Sequence, residues 1–376
     1  MRSLTIAIDA SRTTTARRTG TENYALQLIR ALLALDTPHQ FRLYFRDTPP
    51  PDLFPDQPHV IRRVIPWARV WTHTRFAWAL RQDRPDVTFV PAHTLPVWLP
   101  GPAVVTVHDL GYVYFPEAHL PFARRYLAWS TRYSVRRASR IIADSLATAK
   151  DVAAHYGANS NKITVIYPGV DESLAPVTNP AALAAVRQKY GLPARYLLFL
   201  GTLQPRKNIA RIVQAYAQWQ QASAGIYADV ALVLAGQQGW LYDPHWTSGV
   251  EGVILPGYVD DQDVAALYSG ALALLFPTLH EGFGFPVLEA MRCGTPVITS
   301  TTSSLPEVAG DAALLVNARQ TDEIAAAIAR VVSDDTLRAN LIAKGHQQTT
   351  SFTWAQAAQH TLNVLLSAAT QTSIPH

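Results

Sequence analysis

The chain has 376 residues, of which 48% are hydrophobic, so it can bury large cores and is long enough for two domains. Its single cysteine excludes an internal disulfide framework and a cysteine-rich zinc site, whereas its net charge of +4 leaves nucleic acid, a phosphate-bearing small molecule and an anionic membrane surface open as partners. No apolar stretch is long enough to span a bilayer, and the first residues indicate a β-strand carrying Asp9 rather than a signal peptide, so we expect a cytoplasmic protein.

Short β-branched runs alternate with helical stretches in the first half of the chain. The predicted elements are strand Leu4–Ile8, helix Tyr24–Leu35, and strands Phe41–Phe45, Val87–Val90, Ala103–Val107 and Arg140–Ala143. Such alternation builds βαβ units, and it predicts a parallel, doubly wound sheet.

The same alternation starts again near residue 196. The predicted elements are strand Tyr196–Gly201, helix Asn208–Gln221, strands Val230–Ala235 and Val253–Leu255, helix Asp261–Ser269 and strand Ala271–Phe276. The proline-rich run 167–180 breaks both periodicities and is the best linker. We therefore predict an α/β fold of two Rossmann-like domains, with ligands beyond the carboxyl ends of the strands in a central cleft.

The stretch 280–300 carries two glutamates, Glu281 and Glu289, eight positions apart around a glycine-rich turn. The glycines let a backbone approach a ligand closely, and Pro286 suits the first turn of a helix that ends at Arg292. The start of that helix offers N–H groups and a positive dipole to a phosphate, while the two carboxylates can contact different parts of one long ligand. The pattern predicts a nucleotide-sugar site.

Several segments together resemble glycosyltransferase family 4, whose members are retaining enzymes of the GT-B fold. Besides the E-x(7)-E region, they are TGTENYALQLIRAL (19–32), VHDLGYVYFPEAH (107–119), ADSLATAKDVAAHYG (143–157), ITVIYPGVD (163–171), FLGTLQPRKNIARIVQAY (199–216) and SLPEVAGDAALLVNA (304–318). The resemblance covers nearly the whole chain. It implies an acceptor-binding N-terminal domain at 1–172, completed by a C-terminal crossover helix at 352–376, and a nucleotide-sugar-binding domain at 173–351.

The resemblance implies that two cations bind the diphosphate of the donor. Moving a sugar from a nucleoside diphosphate requires charge to be stabilised on the departing diphosphate, and Arg206 and Lys207 lie just before a predicted helix. In the family, the arginine and lysine of this loop bind the diphosphate. Thr202 stands where many members have arginine, so we expect Arg206 to supply the second charge.

The other donor contacts centre on the glutamate turn. Glu289 can accept two hydrogen bonds from the vicinal hydroxyls of a ribose. The resemblance implies that Glu281 contacts the transferred sugar and that backbone N–H groups around the glycine turn reach the other hydroxyls of that sugar. The base is expected near Tyr258 and Val259. The remaining predicted donor-binding residues are Gly282, Phe283, Gly284, Phe285, Val287 and Leu288.

In the first half of the chain, His108 lies at the carboxyl end of a predicted strand, where a cleft ligand would sit. The His-Asp pair of the family puts this histidine beside the donor sugar, and we expect it to orient and polarise rather than to act as a base. Gly20, in the loop after the first strand, would let backbone approach the diphosphate or the acceptor. The candidate acceptor contacts are Glu22, Asn23 and Asp109.

No metal site is predicted. Asp260, Asp261 and Asp263 cluster, but they fit the cap and first turn of the helix that follows Val259. We therefore expect no cofactor, with the nucleotide sugar binding as a substrate.

The segment 124–140 contains six arginines and no acidic residue. Wound as a helix, it places Arg125, Arg132, Arg136 and Arg140 on one side with Tyr126, Trp129 and Tyr133. Such a face suits an anionic lipid headgroup layer, a phosphate-rich acceptor or plain solvation. Nucleic acid is the weakest interpretation because the sequence contains no recognised nucleic-acid module.

The resemblance thus implies a metal-independent, retaining hexosyltransferase. It would use GDP-mannose, the favoured donor, or a UDP-hexose to form an α-glycosidic bond on a saccharide or lipid-linked acceptor in polysaccharide assembly. A phosphorylase or a nucleotide-sugar epimerase on the same architecture, and a non-catalytic sugar-nucleotide-binding protein, are the alternatives.

Overall fold

The structure, a computed structural model, describes residues 2–15, 20–67 and 70–370. The chain divides into two compact units. The first unit spans Met1–Gly169 and Phe352–His376, and the second spans Val170–Ser351. The boundary between them falls at Gly169, whereas the sequence placed it after residue 172.

Each unit is built around a parallel sheet. The strands of the first unit are β1 (Thr5–Asp9), β2 (Gln40–Phe45), β3 (Val60–Val64), β4 (Val87–Val90), β5 (Ala103–Val107), β6 (Arg140–Ala143) and β7 (Ile163–Val165). Those of the second are β8 (Arg195–Leu200), β9 (Val230–Ala235), β10 (Val253–Gly257), β11 (Ala273–Phe276), β12 (Val297–Ser300) and β13 (Ala313–Val316). Their spatial orders are β3-β2-β1-β4-β5-β6-β7 and β10-β9-β8-β11-β12-β13, with every neighbouring pair parallel.

Helices connect the strands in both units. They are α1 (Gly20–Leu33), α2 (Ala77–Asp83), α3 (Gly111–Tyr114), α4 (Pro121–Arg137), α5 (Leu146–Tyr156), α6 (Pro180–Tyr190), α7 (Ile209–Ala222), α8 (Val264–Ser269), α9 (Phe285–Arg292), α10 (Leu305–Ala309), α11 (Thr321–Ser333), α12 (Asp335–Thr349) and α13 (Trp354–Thr370). Central strands such as β4, β5 and β9 are buried at every position, as in parallel sheets covered on both faces. Among the described residues, no helix is both long and apolar enough to cross a membrane.

The last helix completes the first unit. Helix α13 packs against α1, and the rings of Tyr24 and Trp354 meet edge to face at 5.9 Å. The chain leaves the first unit at Gly169, where a Cβ atom would lie 2.3 Å from the backbone nitrogen of Trp354. Only glycine fits there, so the outgoing and returning segments touch. Residues 371–376 of the predicted crossover helix lie outside the described residues.

The predicted fold class is confirmed, and three local differences have physical causes. Strand β3 was not predicted because its sequence, VIRRV, places two arginines in an edge strand. The predicted helix Asp261–Ser269 begins as a 3-10 turn over its first three residues. Arg140 is not part of the arginine-rich helix, since α4 ends at Arg137 and Arg140 opens β6.

Candidate active site

Three charged side chains assigned to the donor lie together in the second unit. Lys207 Nζ is 2.7 Å from Glu281 Oε1, and Arg206 Nη1 is 3.3 Å from Glu281 Oε2. Arg206 and Lys207 belong to a 3-10 turn after β8, and Glu281 follows β11, which is paired with β8 in the sheet. Because the carboxyl ends of parallel strands share one edge of a sheet, residues 74 positions apart become an ion pair.

The Lys207–Glu281 pair is buried. The two residues are 8% and 6% exposed, and the ammonium group of Lys207 also lies 4.8 Å from the centre of the Phe276 ring. Burial by itself would raise the pKa of Glu281, but the charges of Lys207 and Arg206 outweigh it and lower that pKa. Glu281 is therefore held as a carboxylate at neutral pH.

Asn208 fixes the loop that carries both cations. Its backbone is left-handed, with φ of 65°, a conformation that asparagine tolerates better than most residues. Its side-chain amide donates hydrogen bonds to the carbonyls of Pro277 at 2.9 Å and Ala318 at 2.7 Å. Arg206 adds a bond to the His280 carbonyl at 3.1 Å. The cation loop is thus tied to the glutamate turn.

The glycine turn has the predicted geometry. Gly284 has φ of 112°, and a Cβ atom on it would lie 2.7 Å from Leu305 Cδ2. Helix α9 then begins at Phe285 with Pro286 in its first turn, as predicted. A side chain at Gly284 would both strain the backbone and push Leu305 aside, so this position requires glycine.

Two serines that sequence reasoning missed form hydrogen bonds to the backbone of the turn. Ser304 donates to the carbonyls of Glu281 at 3.0 Å and Phe283 at 2.6 Å, and Ser303 accepts from the N–H of Glu281 at 3.0 Å. Ser304 opens the SLPEVAG region and Ser303 directly precedes it, so the signal was present in the sequence. Their partners, however, depend on how β12 and β11 pair.

Glu289 has a different environment from Glu281. It lies on α9, and the Tyr268 hydroxyl donates to its Oε2 at 2.9 Å. Burial raises the pKa of Glu289 to about 7; the hydrogen bond from Tyr268 opposes that rise, and the negative charges of Asp171 and Asp261 add to it. The carboxyl group therefore titrates near neutral pH.

The other predicted donor-binding residues divide by exposure. Thr202 is exposed, and Tyr258 is 52% exposed with its hydroxyl 3.3 Å from Asp261. Gly282, Phe283 and Phe285 form the turn and the start of α9. The side chains of Val259, Val287 and Leu288 lie in the core. Donor binding by these three residues stays a prediction, and it would use their backbone groups rather than their buried side chains.

Asp260 occupies the N-cap position and Asp261 and Asp263 the first turn, as predicted, but Asp260 and Asp263 bond to a lysine through their side chains. Lys189 Nζ is 2.7 Å from Asp260 Oδ2 and 2.5 Å from Asp263 Oδ2. Neither Asp260 nor Asp263 makes a capping hydrogen bond through its side chain. Within the part of the chain that the structure describes, no group of three or more His, Cys, Asp and Glu side chains is arranged to hold a metal ion.

In the first unit, His108 is paired with a buried aspartate from the neighbouring strand end. His108 Nδ1 is 2.5 Å from Asp144 Oδ2, and Nε2 is 3.2 Å from the Pro91 carbonyl. Burial lowers the pKa of His108, but the Asp144 carboxylate and the Pro91 carbonyl outweigh it and raise that pKa. Two oxygen acceptors face the two ring nitrogens, which favours the imidazolium form.

A cavity of about 400 Å³ opens at the same edge of this sheet, beyond β1, β2 and β4. Its polar lining includes Asp9, Arg12, Glu22, Arg46, His73 and Tyr126. Arg12 Nη1 is 3.0 Å from Glu22 Oε1, and Asp9 is 8% exposed. Cations and carboxylates balance in this lining, a mixture that suits a neutral ligand with many hydroxyl groups.

The predicted acceptor contacts fall in two places, α1 and the start of α3. Glu22 lines the cavity, and Asn23 follows it on α1, which begins at Gly20. Asp109 accepts a hydrogen bond from the Gly111 N–H at 2.9 Å at the start of α3. The cavity residues Asp9, Arg12 and Arg46 were not predicted as contacts, since Asp9 and Arg12 lie at the end of β1 whereas Arg46 follows β2, more than 30 residues later.

Comparison with known proteins places this arrangement in a family. Residues 18–174 match Glycosyltransferase Family 4, and residues 185–348 match Glycosyl transferases group 1. O-antigen chain mannosyltransferase B of Escherichia coli is 34% identical over 295 residues, which cover 77% of this chain and 76% of that protein. The serotype-specific mannosyltransferase WbdA of Escherichia coli is 30% identical, over 69% of this chain but only 33% of its own length.

Solved structures agree on the fold. Sucrose-phosphate synthase from Thermosynechococcus elongatus superposes with a TM-score of 0.74 at 22% identity, covering 97% of this chain and 99% of that one. WaaG, a glycosyltransferase involved in lipopolysaccharide biosynthesis, gives a TM-score of 0.72 at 17% identity, covering 96% and 99%. Two parallel-sheet units, the glutamate turn and the sequence matches agree, and the chain belongs to glycosyltransferase family 4, with the GT-B fold.

Proposed function

We propose that this glycosyltransferase is a retaining hexosyltransferase that forms an α-glycosidic bond on a saccharide or lipid-linked acceptor. Mannose from GDP-mannose is the favoured donor sugar, because the relatives at 30% identity or more include O-antigen mannosyltransferases. A UDP-hexose is the second candidate, since HepE of Anabaena, solved with UDP-glucose, shares the fold at 18% identity and a TM-score of 0.73.

The observation that carries the proposal is the cation pair at the glutamate turn. When the glycosidic bond to the diphosphate breaks, negative charge grows on the leaving phosphate. Lys207, Arg206 and the N-terminus of α9 supply positive charge at one edge of the sheet, in a largely buried setting where each charge counts more than in water. Glu281 holds the two cations in place and faces the sugar.

Glu289 is assigned to the nucleoside. An ionised carboxylate accepts two hydrogen bonds from the vicinal ribose hydroxyls, and Tyr268 orients that carboxylate from the side. Tyr258, half exposed after β10, is the aromatic surface for the base. The donor would thus extend from Tyr258 past Glu289 to Lys207.

His108 is proposed to orient and polarise rather than to remove a proton. A general base needs a ring nitrogen with a free lone pair, whereas both nitrogens of His108 face oxygen acceptors. The proton of the acceptor hydroxyl would instead go to the leaving phosphate, which departs from the face that the acceptor attacks. Front-side departure and attack give retention at the anomeric carbon.

We also propose that the reaction needs no metal ion. Charge stabilisation on the diphosphate is assigned to Lys207, Arg206 and the α9 N-terminus, and Lys189 already bridges Asp260 and Asp263. EDTA should therefore leave the initial rate unchanged. Loss of activity that Mn²⁺ restores would overturn this part of the proposal.

A donor screen tests the whole assignment. Thermal unfolding is measured with GDP-, UDP-, ADP- and dTDP-sugars, because a ligand at a hundred times its Kd adds about 2.7 kcal/mol to the free energy of unfolding. The stabilising donor is then incubated with acceptor saccharides, and the anomeric configuration of the product is read by NMR. Turnover that requires free phosphate would indicate a phosphorylase, conversion without acceptor an epimerase, and binding without any turnover a non-catalytic protein.

We place the enzyme in the cytoplasm, in peripheral contact with a membrane through residues 124–140.

A further inference from the structure

Helix α4 has an exposed face of unusual composition. Side chains at positions i, i+3, i+4 and i+7 from residue 122 share one face, and they are Phe122, Arg125, Tyr126, Trp129, Arg132, Tyr133 and Arg136. Phe122 is 84% exposed and Trp129 is 49% exposed, while Leu120, just before the helix, is 78% exposed. All but Tyr133 are exposed, and we call this set, with Leu120, the α4 face.

The opposite side of α4 is the one that packs on the protein. Its buried residues are small or polar: Ser130, Thr131, Ser134 and Val135. A helix of a water-soluble protein ordinarily turns its aromatic side to the core and its small polar side to water. Here Leu127 and Tyr133 pack against the core, but Phe122, Tyr126 and Trp129 are exposed and leave an aromatic surface open to a partner.

The aromatic groups on this face are arranged in a row rather than scattered. Trp129 stacks on Tyr133 with ring centres 6.0 Å apart and lies 6.1 Å from Tyr126. The Tyr126 hydroxyl is 2.9 Å from His73 Nε2, which anchors the row to the segment before α2. The row is therefore held in place before any partner binds.

The charge on the face is uniformly positive. Arg125, Arg132 and Arg136 are exposed, and within the described residues none of these three guanidinium groups forms an ion pair. The adjacent Arg124 is exposed as well. The α4 face thus combines arginines with aromatic rings and with the apolar side chains of Phe122 and Leu120. This combination matches a lipid interface, which has anionic headgroups at its surface and hydrocarbon just beneath them.

We propose that the α4 face binds the surface of an anionic lipid bilayer and that the adjacent cavity receives the head of a membrane-anchored acceptor. The second part rests on the proposed function. Tyr126 belongs to both features, because it lies in the aromatic row and also lines the cavity together with His73. A bilayer touching the face would hold a lipid-linked saccharide at the cavity mouth.

Vesicle flotation tests the surface. The full chain is mixed with vesicles of phosphatidylcholine alone or with roughly 30% phosphatidylglycerol, and the bound fraction is measured against lipid concentration. We expect binding to the anionic vesicles only, weakened at least about tenfold in the Arg125→Glu/Arg132→Glu variant because each arginine contributes to attraction. Phe122→Ser should weaken binding severalfold without a change in net charge.

A charge-matched control separates this face from net charge. The Arg81→Glu/Arg330→Glu variant reverses two exposed arginines elsewhere, on α2 and α11, and should float like the native protein. Equal loss in both double variants, or flotation on phosphatidylcholine alone, would overturn the proposal. So would competition by millimolar inorganic phosphate or stoichiometric duplex DNA, which would indicate a phosphate or nucleic-acid site instead. Thermal unfolding of each variant verifies that the fold is intact.

Activity measurements separate this inference from the proposed function. With a water-soluble acceptor, Arg125→Glu/Arg132→Glu should turn over like the native enzyme, whereas with an acceptor embedded in anionic vesicles its kcat/KM should fall at least about tenfold. An equal fall with both acceptors would overturn the membrane role. If no transfer occurs with either acceptor, the proposed function fails while the flotation result still decides the lipid surface.

Discussion

Glu281 precedes the glycine turn and Glu289 lies on helix α9, which follows that turn, and their surroundings shift their pKa values in opposite directions. Two cations lower the pKa of Glu281, whereas burial raises that of Glu289 to about 7 against the opposing hydrogen bond from Tyr268. Both are glutamates on the same glycine-rich segment, so neither residue type nor spacing distinguishes them. The difference shows that the pKa of each carboxyl group is set by the side chains that the fold brings next to it.

Among the substitutions at the glutamate turn, removal of Lys207 should lower kcat/KM the most. Lys207→Ala removes the charge that is matched to the leaving group. Of the two cations paired with the buried Glu281, only Arg206 then remains. We expect kcat/KM to fall at least about a hundredfold, on the order of 3 kcal/mol of transition-state stabilisation. Steady-state kinetics with the identified donor measure it.

Lys344→Ala is the matched control, since Lys344 forms an exposed ion pair with Asp311 in the same unit. It should change neither kcat/KM nor Tm appreciably. Near-native kinetics for a folded Lys207→Ala variant would contradict the diphosphate assignment.

Neutralising Glu281 should separate turnover from nucleotide binding. In Glu281→Gln the side chain keeps its shape but loses its negative charge, which balances Lys207 in the native protein. A bound diphosphate would supply that negative charge instead. We expect kcat to fall about thirtyfold while the Kd for free GDP or UDP changes less than about threefold, because the sugar and its positively charged transition state feel this carboxylate most. Calorimetric titration set beside kcat measures both; a parallel loss of nucleotide affinity and an unchanged kcat would reverse the assignment.

Arg206 should matter less than Lys207. It is more exposed, and its guanidinium lies 3.3 Å from Glu281 Oε2 rather than at 2.7 Å. We expect Arg206→Ala to lower kcat/KM about tenfold, since a partly solvated charge is worth less than a buried one. A loss as large as that of Lys207→Ala would mean that Arg206 fully replaces the arginine absent at Thr202.

The smallest effect should come from Glu289 and should depend on pH. Because its pKa is raised in the folded protein, its contribution to stability is present at low pH and lost as pH rises from the unfolded value towards about 7. Glu289→Gln imitates the protonated form, so its Tm should exceed that of the native protein by about 5 °C above pH 7 and equal it below about pH 4.5.

Nucleotide affinity gives the complementary test of Glu289. In the native protein, affinity for GDP or UDP should fall severalfold as pH drops below about 7, whereas in Glu289→Gln it should be weaker and independent of pH. A native affinity that is flat across this range would argue against an ionised Glu289 on the ribose.

The sequence predicted the central strands well and the edges poorly. The bounds of β4, β5, β6 and β9 were predicted without error, because each is a short run rich in apolar and β-branched residues. Edge strand β3 carries arginines, and the one-turn π-helix Thr72–Phe76 has no local signal. Arg140 was placed on a helix face because its spacing fits, although the chain turns into β6 before reaching it.

The site was predictable as a set of residues but not as a set of pairs. Lys207 and Glu281 were both identified, yet their contact spans 74 residues and requires the order β8-β11 in the sheet. Asp144 escaped notice for the same reason: its partner His108 is 36 residues away, on the neighbouring strand end. The roles that we assign to these residues remain predictions until the variants are measured.

The contact between Gly169 and Trp354 bears on how the protein is made. Because translation runs from the N-terminus, all of the second unit leaves the ribosome before α13, the helix against which α1 packs. Domains usually finish folding in the order in which they are synthesised. Here the order is inverted, because the unit whose synthesis starts first is completed last. Its α1 surface stays uncovered while some 180 further residues, those of the second unit, are synthesised.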